Sequence, residues 1–227
     1  HVQFFELLDA NGSVRGCFFL DLYARVHKRG GAWMADCMGR RRRADGTVQA
    51  PVAFLTCNFS PPVGNKPSLL AHDDVVTLFH EFGHGLHHLL TQVDEPAVAG
   101  INGVPWDAVE LPSQFMENWC WEPEALLEIS GHYQSGAALP TDLLERLRGA
   151  RNFQSALQML RQVEFAVFDM ALHGPGSVPT ARAIQQQLDE VRQRIAVIQP
   201  PAWNRFQNSF SHIFAGGYAA GYYSYKW

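Results

Sequence analysis

Two histidines four residues apart, His80 and His84, are the side chains of this sequence best spaced to act on one atom. On an α-helix, residues i and i+4 lie one turn apart on the same face, so both imidazoles can reach a common point. Such a point suits Zn²⁺, which binds imidazole nitrogen at about 2.0–2.1 Å. Glu81 is rotated by about 100° from His80 on the same helix. The pattern H-E-x-x-H therefore predicts a metal ion beside a carboxylate that serves as a general base.

The residues around this motif have the spacing of a helix. Asp73 and Asp74 lie near its predicted start, where acidic side chains favour the positive end of the helix dipole. Residues at intervals of three or four form an apolar stripe beside the histidines: Val76, Phe79, Gly83, Leu86 and Leu90. The alternative interpretation is an amphipathic helix whose histidines only face solvent. We predict a helix over residues 75–92 with a metal site on one face.

A zinc ion held by two histidines needs a further protein ligand. Glu110 and Glu117 follow the motif seven residues apart, so they share one face of a helix that Pro112 can start. One of the two carboxylates can bind the metal while the other orients a ligand imidazole. The spacing alone does not decide which carboxylate has which role.

The C-terminal stretch carries three tyrosines at helical spacing. A helix over residues 218–227 would place Tyr218, Tyr222 and Tyr225 on one face. Phenolic hydroxyls need hydrogen-bond partners when they are buried, and amide hydrolysis needs donors aimed at the oxyanion of a tetrahedral intermediate. With a metal site in hand we expect these side chains to contact a substrate, and packing in the core is the alternative.

Two other features have open interpretations. Residues 93–108 are irregular and contain Gly100 and Gly103, so they form either a loop that gates the site or an ordered connector. Glu164 lies on an apolar helical stripe, and Asp169 follows it on the same predicted helix. We interpret both as paired or solvated carboxylates, and the alternative is that they support residues of the site.

The pattern of strands and helices predicts a mainly α (α+β) fold with a small sheet near the N-terminus. Three apolar runs bounded by turn residues predict strands that form a small antiparallel or mixed sheet: Val2–Asp9, Val14–Arg25 and Pro51–Phe59. Later segments predict separate helices: Glu124–Ser130, Asp142–Arg148, Phe153–Leu172 and Ala181–Ile198. We predict one domain over residues 1–227, with a strand-rich lobe at 1–60 and a helical part at 72–227.

Composition narrows the class of protein. The 227 residues carry a net charge of −4, which does not suggest a nucleic-acid partner, and we interpret Arg40–Arg43 as a solvated loop. No apolar run reaches 18 residues, so we expect no membrane span. The four cysteines form no C-x-x-C pair, which favours reduced thiols in a cytoplasmic protein. The chain starts at His1 and stops at Trp227 within an aromatic run, so we expect it to be a piece of a longer protein.

Three separated runs carry a resemblance to a known family. They are Phe79–His88 around the motif, Glu110–Trp119 with its Glu-Leu-Pro-Ser-Gln start, and the tail with His212, Gly216-Gly217-Tyr218 and Tyr222-Tyr223-Ser224-Tyr225. In this order they resemble the thimet oligopeptidase family of zinc metallopeptidases, and the similarity covers nearly the whole chain.

The resemblance implies a zincin-type catalytic domain that cleaves short peptides in the cytoplasm. It implies one Zn²⁺ per chain, bound by His80, His84 and Glu110, which leaves Glu117 to support a ligand. It implies that Glu81 is the general base and that four residues surround the substrate: His212, Tyr218, Tyr222 and Tyr225. Members of the family are longer, so an N-terminal helical half of the same protein is an expected partner. A zinc-binding domain without turnover, and a dipeptidyl carboxypeptidase instead of an endopeptidase, are the alternatives.

Overall fold

The computed structural model describes residues 2–176 and 180–225 and divides the chain into two compact units. The first unit contains residues 1–104 and 111–146, and the second contains residues 105–110 and 147–227. His1, Lys226 and Trp227, with which the sequence begins and ends, lie outside the described residues. The prediction of one domain with a strand-rich lobe stays a prediction.

Six strands in the described residues lie before residue 60, and four of them form a mixed sheet. The strands are β1 (Gln3–Leu8), β2 (Val14–Tyr23), β3 (Trp33–Met38), β4 (Arg41–Arg42), β5 (Val48–Gln49) and β6 (Val52–Phe59). The four-stranded sheet has the order β1-β2-β6-β3, with β2 and β6 parallel and the outer pairs antiparallel. The small sheet near the N-terminus is therefore confirmed, and β3 is a member that the sequence pattern did not single out.

The prediction of a solvated arginine loop is confirmed for the exposure of residues 41–43 and wrong for the loop, because Arg41 and Arg42 form the strand β4. Arg42 belongs to the two-stranded ribbon of β4 and β5, and its guanidinium pairs with Asp94. Arg40 Nε donates to the same carboxylate at 2.8 Å, and the main-chain N–H of Arg42 donates to the Asp94 carbonyl at 3.1 Å. These bonds fix the start of the irregular segment 93–104, which favours an ordered connector there.

The central strand β6 and the first helix build the core of the first unit. Ala53 and Leu55 of β6 are fully buried, and α1 (His72–Leu89) packs against them where Gly85 approaches Leu55. Phe82 of α1 contacts the ring of Phe18 edge-on, with centroids 5.6 Å apart. Packing removes the apolar side chains of this face from contact with water, and this stabilises α1 in one orientation on the sheet. The predicted helix across the H-E-x-x-H motif is confirmed.

The second helix touches the first at a glycine. α2 (Leu111–Glu117) is followed by a 3-10 turn at Asn118–Trp121, by α3 (Pro123–Ile129) and by α4 (Thr141–Ala150). A Cβ atom on Gly83 of α1 would lie 2.5 Å from the Pro112 carbonyl oxygen and 2.6 Å from the Ser113 Cα. No side chain fits at that distance, so glycine lets the two backbones meet next to the histidines.

The second unit is helical in its described part. It contains α5 (Ser155–Leu172), α6 (Ala181–Ile195), α7 (Ser211–Ala215) and 3-10 turns at Phe206–Asn208 and Tyr222–Tyr225. Phe165 stacks on Phe206 with centroids 4.4 Å apart. Glu164 is buried and accepts a hydrogen bond from Arg192 Nε at 3.0 Å, so the interpretation of Glu164 as a paired carboxylate is confirmed.

The helix considered for the C-terminal tail is wrong over the described residues. α7 ends at Ala215, and only a 3-10 turn at Tyr222–Tyr225 follows. Gly217 has φ +87° and Ala220 has φ +56°, and a left-handed residue ends a right-handed helix. The tyrosines are therefore brought together by a turn and not by helical periodicity.

None of the helices in the described residues is long and apolar enough to cross a membrane.

Candidate active site

Helix α1 presents His80 and His84 from consecutive turns. Their ring centroids lie 5.0 Å apart and their planes are almost perpendicular, at 83°. His84 is 8% exposed and Glu81, next to His80 in the chain, is 5% exposed. The spacing of four residues explains the shared face, and the packing of α1 on the sheet explains the burial.

The side chain of Glu117, the last residue of α2, contacts the imidazole of His80. Its Oε1 atom is 2.7 Å from His80 Nδ1. With Nδ1–H donating to the carboxylate, His80 keeps an unprotonated Nε2 whose lone pair can bind a metal. The close approach of α1 and α2 at Gly83 brings this carboxylate within reach.

Glu110 immediately precedes Leu111, the residue at which α2 begins. One ligand atom from each of His80, His84 and Glu110 lies within 4.8 Å of the other two, and this is the one such group of three or more among the described residues. Two imidazole nitrogens and one carboxylate oxygen are a donor set of catalytic zinc sites, which keep a fourth position open. The residues present therefore fit a zinc ion.

The second unit packs around Glu110. Glu110 is 1% exposed, and its Oε1 accepts a hydrogen bond from the hydroxyl of Tyr218. The ring of Tyr218 contacts Trp106 edge-on at a centroid distance of 4.6 Å. A Cβ atom on Gly217 would lie 2.5 Å from the Trp106 ring, so this glycine allows the tail to lie directly on the tryptophan. Segment 105–110 and the tail therefore support each other.

The four tail residues predicted from the sequence lie in one aromatic cluster. The His212 ring lies edge-on to Tyr225 at 5.6 Å and to Tyr222 at 5.8 Å. Tyr225 lies 5.0 Å from Tyr218 and stacks on Tyr222 at 4.9 Å, measured between ring centroids. The Tyr222 hydroxyl donates to Gln162 Oε1 at 3.0 Å. The turn thus gathers the residues that a helix was expected to align.

Burial sets the protonation of this cluster. It raises the pKa of Tyr222 to about 12. Burial also raises the pKa of Tyr225, and the negative charge of Glu110 adds to this effect. Both hydroxyls therefore keep their protons at neutral pH and can donate. Burial lowers the pKa of His212, while the charge of Glu110 partly opposes that shift.

Sequence reasoning missed the support that Trp106, Gln162 and Asp169 give to the tail. Asp169 is fully buried and accepts hydrogen bonds from the main chain of Ala220 and Tyr222. These contacts join residues far apart in the chain, so no periodic pattern reports them. The one available signal was that Asp169 follows Phe168 of the apolar stripe on the same predicted helix, since a carboxylate that is buried must be paired.

The chain is similar to known peptidases over its whole length. A family model described as peptidase family M3 matches residues 1–227. Oligopeptidase A of Salmonella typhimurium is 62% identical to the chain over 226 residues, and oligopeptidase A of Escherichia coli is 61% identical. Both matches cover 100% of this chain and 33% of the relative, so the chain spans about a third of their length.

A more distant relative is the dipeptidyl carboxypeptidase of Escherichia coli. It is 38% identical over 231 residues, again with 100% of this chain and 33% of the relative covered. The resemblance drawn from the three sequence runs is confirmed by matches over the whole chain. The chain belongs to peptidase family M3.

Proposed function

We propose that this chain carries the catalytic site of a zinc-dependent metallopeptidase that hydrolyses short peptides. The observation that carries the proposal is the group of His80, His84 and Glu110, whose ligand atoms lie within 4.8 Å of one another. Membership of peptidase family M3 supports it. The chain spans about a third of the length of its relatives. That the substrates are short peptides, and that a further helical half of the same protein helps to bind them, are therefore parts of the proposal.

The proposed ligands are the two imidazoles and the carboxylate of Glu110, with one Zn²⁺ per chain. When bound, Zn²⁺ lowers the pKa of a water molecule to about 7 and polarises a carbonyl group. Glu117 holds His80 through Nδ1 and directs its Nε2 toward the shared point. The Tyr218 hydroxyl holds the Glu110 carboxylate in the same way.

Glu81 is the proposed general base. It lies beside His80 on α1 and is 5% exposed, in surroundings where water is largely excluded. Its carboxylate accepts a proton from the attacking water and then passes that proton to the leaving amine. A carboxylate on the helix that carries both imidazoles keeps its distance from them fixed.

Tyr225 and His212 are the proposed donors to the oxyanion that develops on the scissile carbonyl. Tyr218, whose hydroxyl donates to Glu110, is the proposed support of that ligand next to them. The high pKa of Tyr225 keeps its proton available, and its ring is held between Tyr218 and Tyr222. Donors of this kind contribute about 3–4 kcal/mol to transition-state stabilisation. Tyr222 is the proposed substrate-binding neighbour, with its hydroxyl directed by Gln162.

The identities to relatives favour an oligopeptidase over the alternative peptidase. Relatives named oligopeptidase A are 62% identical to this chain, whereas the one named dipeptidyl carboxypeptidase is 38% identical. Two relatives from Arabidopsis thaliana, each 48% identical to the chain, carry the names probable cytosolic oligopeptidase A and organellar oligopeptidase A. The cytoplasm is therefore proposed from the sequence and not from the names of relatives.

Replacement of Glu81 by Gln tests the proposal. In the full-length protein, the Glu81→Gln variant should retain one zinc ion per chain and lose at least about 100-fold in cleavage of a quenched fluorescent peptide. Glu128→Gln, an exposed change on α3, is the control and should leave both measurements unchanged. Normal cleavage by a zinc-loaded Glu81→Gln protein would remove Glu81 as the base. A zinc-loaded unaltered protein that cleaves no peptide would favour a binding domain without turnover.

A further inference from the structure

Asp169 on α5 holds the main chain of the C-terminal tail. Its Oδ1 atom accepts a hydrogen bond from the N–H of Ala220 at 2.9 Å, and its Oδ2 atom accepts one from the N–H of Tyr222 at 3.0 Å. His173 Nδ1 lies 2.7 Å from Oδ1. The Asp169 side chain is fully buried, so the acceptor atoms of these bonds are shielded from water.

The tail needs such support because its backbone is irregular. Ala220 has φ +56°, a left-handed conformation that non-glycine residues rarely adopt. The neighbouring N–H groups of Tyr218, Gly221 and Ser224 are bound to carbonyls within the tail. Those of Ala220 and Tyr222 are bound to the carboxylate instead. A charge on the acceptor makes these two bonds stronger than bonds between neutral groups.

A second buried carboxylate on the same helix shows what is particular about Asp169. Glu164 is 2% exposed and is paired with the guanidinium groups of Arg161 and Arg192. Asp169 instead accepts hydrogen bonds from two main-chain N–H groups and lies beside the imidazole of His173. Glu164 therefore joins side chains of the helices, whereas Asp169 determines the path of the tail.

Tyr222 starts the 3-10 turn that also contains Tyr225, and their rings stack at 4.9 Å. Fixing the N–H of Tyr222 fixes the start of this turn. We propose that Asp169 is a positioning residue that sets the direction of the Tyr222 and Tyr225 hydroxyls through the main chain at residues 220–222. This inference rests on the proposed function, because it concerns donors to a reacting peptide.

The test uses the zinc-loaded full-length protein with Asp169→Asn. Asparagine keeps the volume but has one acceptor oxygen, and its NH₂ group faces the second N–H. We expect kcat for a quenched fluorescent peptide to fall about 10- to 100-fold, because small misplacement of catalytic groups has effects of that size. KM and zinc content should stay within about twofold of the unaltered protein. Glu164→Gln is the matched control on α5, and it should leave kcat near normal in the folded protein.

Amide hydrogen exchange provides a readout that does not depend on catalysis. In the unaltered protein, the amides of Ala220 and Tyr222 should exchange more slowly than that of Ala219, and Asp169→Asn should remove this protection. Equal kcat in Asp169→Asn and Glu164→Gln would overturn the inference, as would rapid exchange at residues 220 and 222 in the unaltered protein. If the unaltered protein binds zinc and cleaves nothing, the proposed function fails. Lost protection in Asp169→Asn would then still support the part that concerns the main chain.

Discussion

The Oε1 atom of Glu117 lies 2.7 Å from Nδ1 of His80, which joins the end of α2 to the first histidine of the H-E-x-x-H motif. A hydrogen bond at Nδ1 determines which ring nitrogen remains free and fixes the rotation of the imidazole. The zinc affinity of the proposed site should therefore depend on Glu117, which is not one of its proposed ligands.

Replacement of Glu117 by Ala should weaken zinc binding about 10- to 100-fold, because His80 loses the partner that orients it. Competition with a chromophoric chelator measures the affinity. Glu128→Ala on α3 removes an exposed carboxylate and is the control. Unchanged affinity in Glu117→Ala would show that α1 alone orients His80.

Gly83→Ala should destabilise the protein by about 1–3 kcal/mol, the usual effect of overpacking. The added methyl group would lie 2.5 Å from the Pro112 carbonyl oxygen, so α2 must move away from α1. Gly149→Ala is the matched control, since a Cβ there meets no atom within 4 Å and α4 should gain about 0.5–1 kcal/mol. Urea denaturation measures both changes, and equal midpoints would argue against the close helix contact.

Replacement of Tyr218 and replacement of Tyr225 should have different effects on zinc affinity and on kcat. Tyr218→Phe removes the hydroxyl that donates to Glu110, so we expect weaker zinc binding as well as slower cleavage. The Tyr225 hydroxyl also interacts with the Glu110 carboxylate. Tyr225→Phe should therefore lower kcat about 100-fold or more, as expected for loss of a donor to the oxyanion, and should weaken zinc binding less than Tyr218→Phe does. Zinc titration and peptide cleavage in the full-length protein measure the two effects. If zinc binding were weaker in Tyr225→Phe and normal in Tyr218→Phe, Tyr225 and not Tyr218 would be the residue that supports the zinc ligand Glu110.

The four cysteines are free thiols with different exposure. Burial raises the pKa of Cys57 to about 12 and that of Cys120 to about 11, so neither forms the reactive thiolate near neutral pH. Cys37 is exposed and should react first with a disulfide reagent at about pH 8. Mass spectrometry of labelled peptides measures the order, and Cys37→Ser should remove the fast phase. Fast labelling of Cys57 in folded protein would contradict the burial of β6.

Protonation of His87 should lower stability in acid. Burial and the neighbouring His84 and His88 lower the pKa of His87 below its usual value of about 6.5. The unfolded chain therefore takes up this proton first as the pH falls. The contribution of His87 to stability is present above about pH 6.5 and is lost as the pH decreases toward the folded-state pKa.

Urea midpoints at about pH 7 and about pH 5 measure this loss in chelator-treated protein, so that competition between protons and zinc does not contribute. His87→Gln should lose less stability than the unaltered protein over this interval. His132→Gln, a change at an exposed loop histidine, should behave like the unaltered protein. The same decrease in urea midpoint between the two pH values in all three proteins would show that His87 does not contribute to the loss of stability.

Local patterns in the sequence were enough to predict the central elements. The helix across His80 and His84, the N-terminal strands and the helical segments after residue 120 follow from periodicity and turn residues, which act over a few neighbours. The strand β3 was not singled out, because its alternation is weak and its place at the sheet edge depends on pairing with β6.

The tail shows where local reasoning ends. Tyr218, Tyr222 and Tyr225 were selected by a helical spacing, yet the backbone turns at Gly217 and Ala220 and no α-helix forms over the described residues. The rings still meet, because Asp169 binds the main chain of the tail and Trp106 packs against the Tyr218 ring. Such partners are distant in sequence and leave no periodic signal.

The sequence by itself determined that two imidazoles share a helix face, since i and i+4 spacing dictates that geometry, and that a carboxylate lies to one side of them on the same helix. The spacing left open which of Glu110 and Glu117 lies with the two histidines as a metal ligand and which one orients an imidazole. Tertiary packing placed Glu117 on His80 Nδ1 and Glu110 in the group with both histidines. The reason is physical: helical periodicity orients side chains only within one element, whereas contacts between elements depend on close packing, as at Gly83, that the whole fold creates.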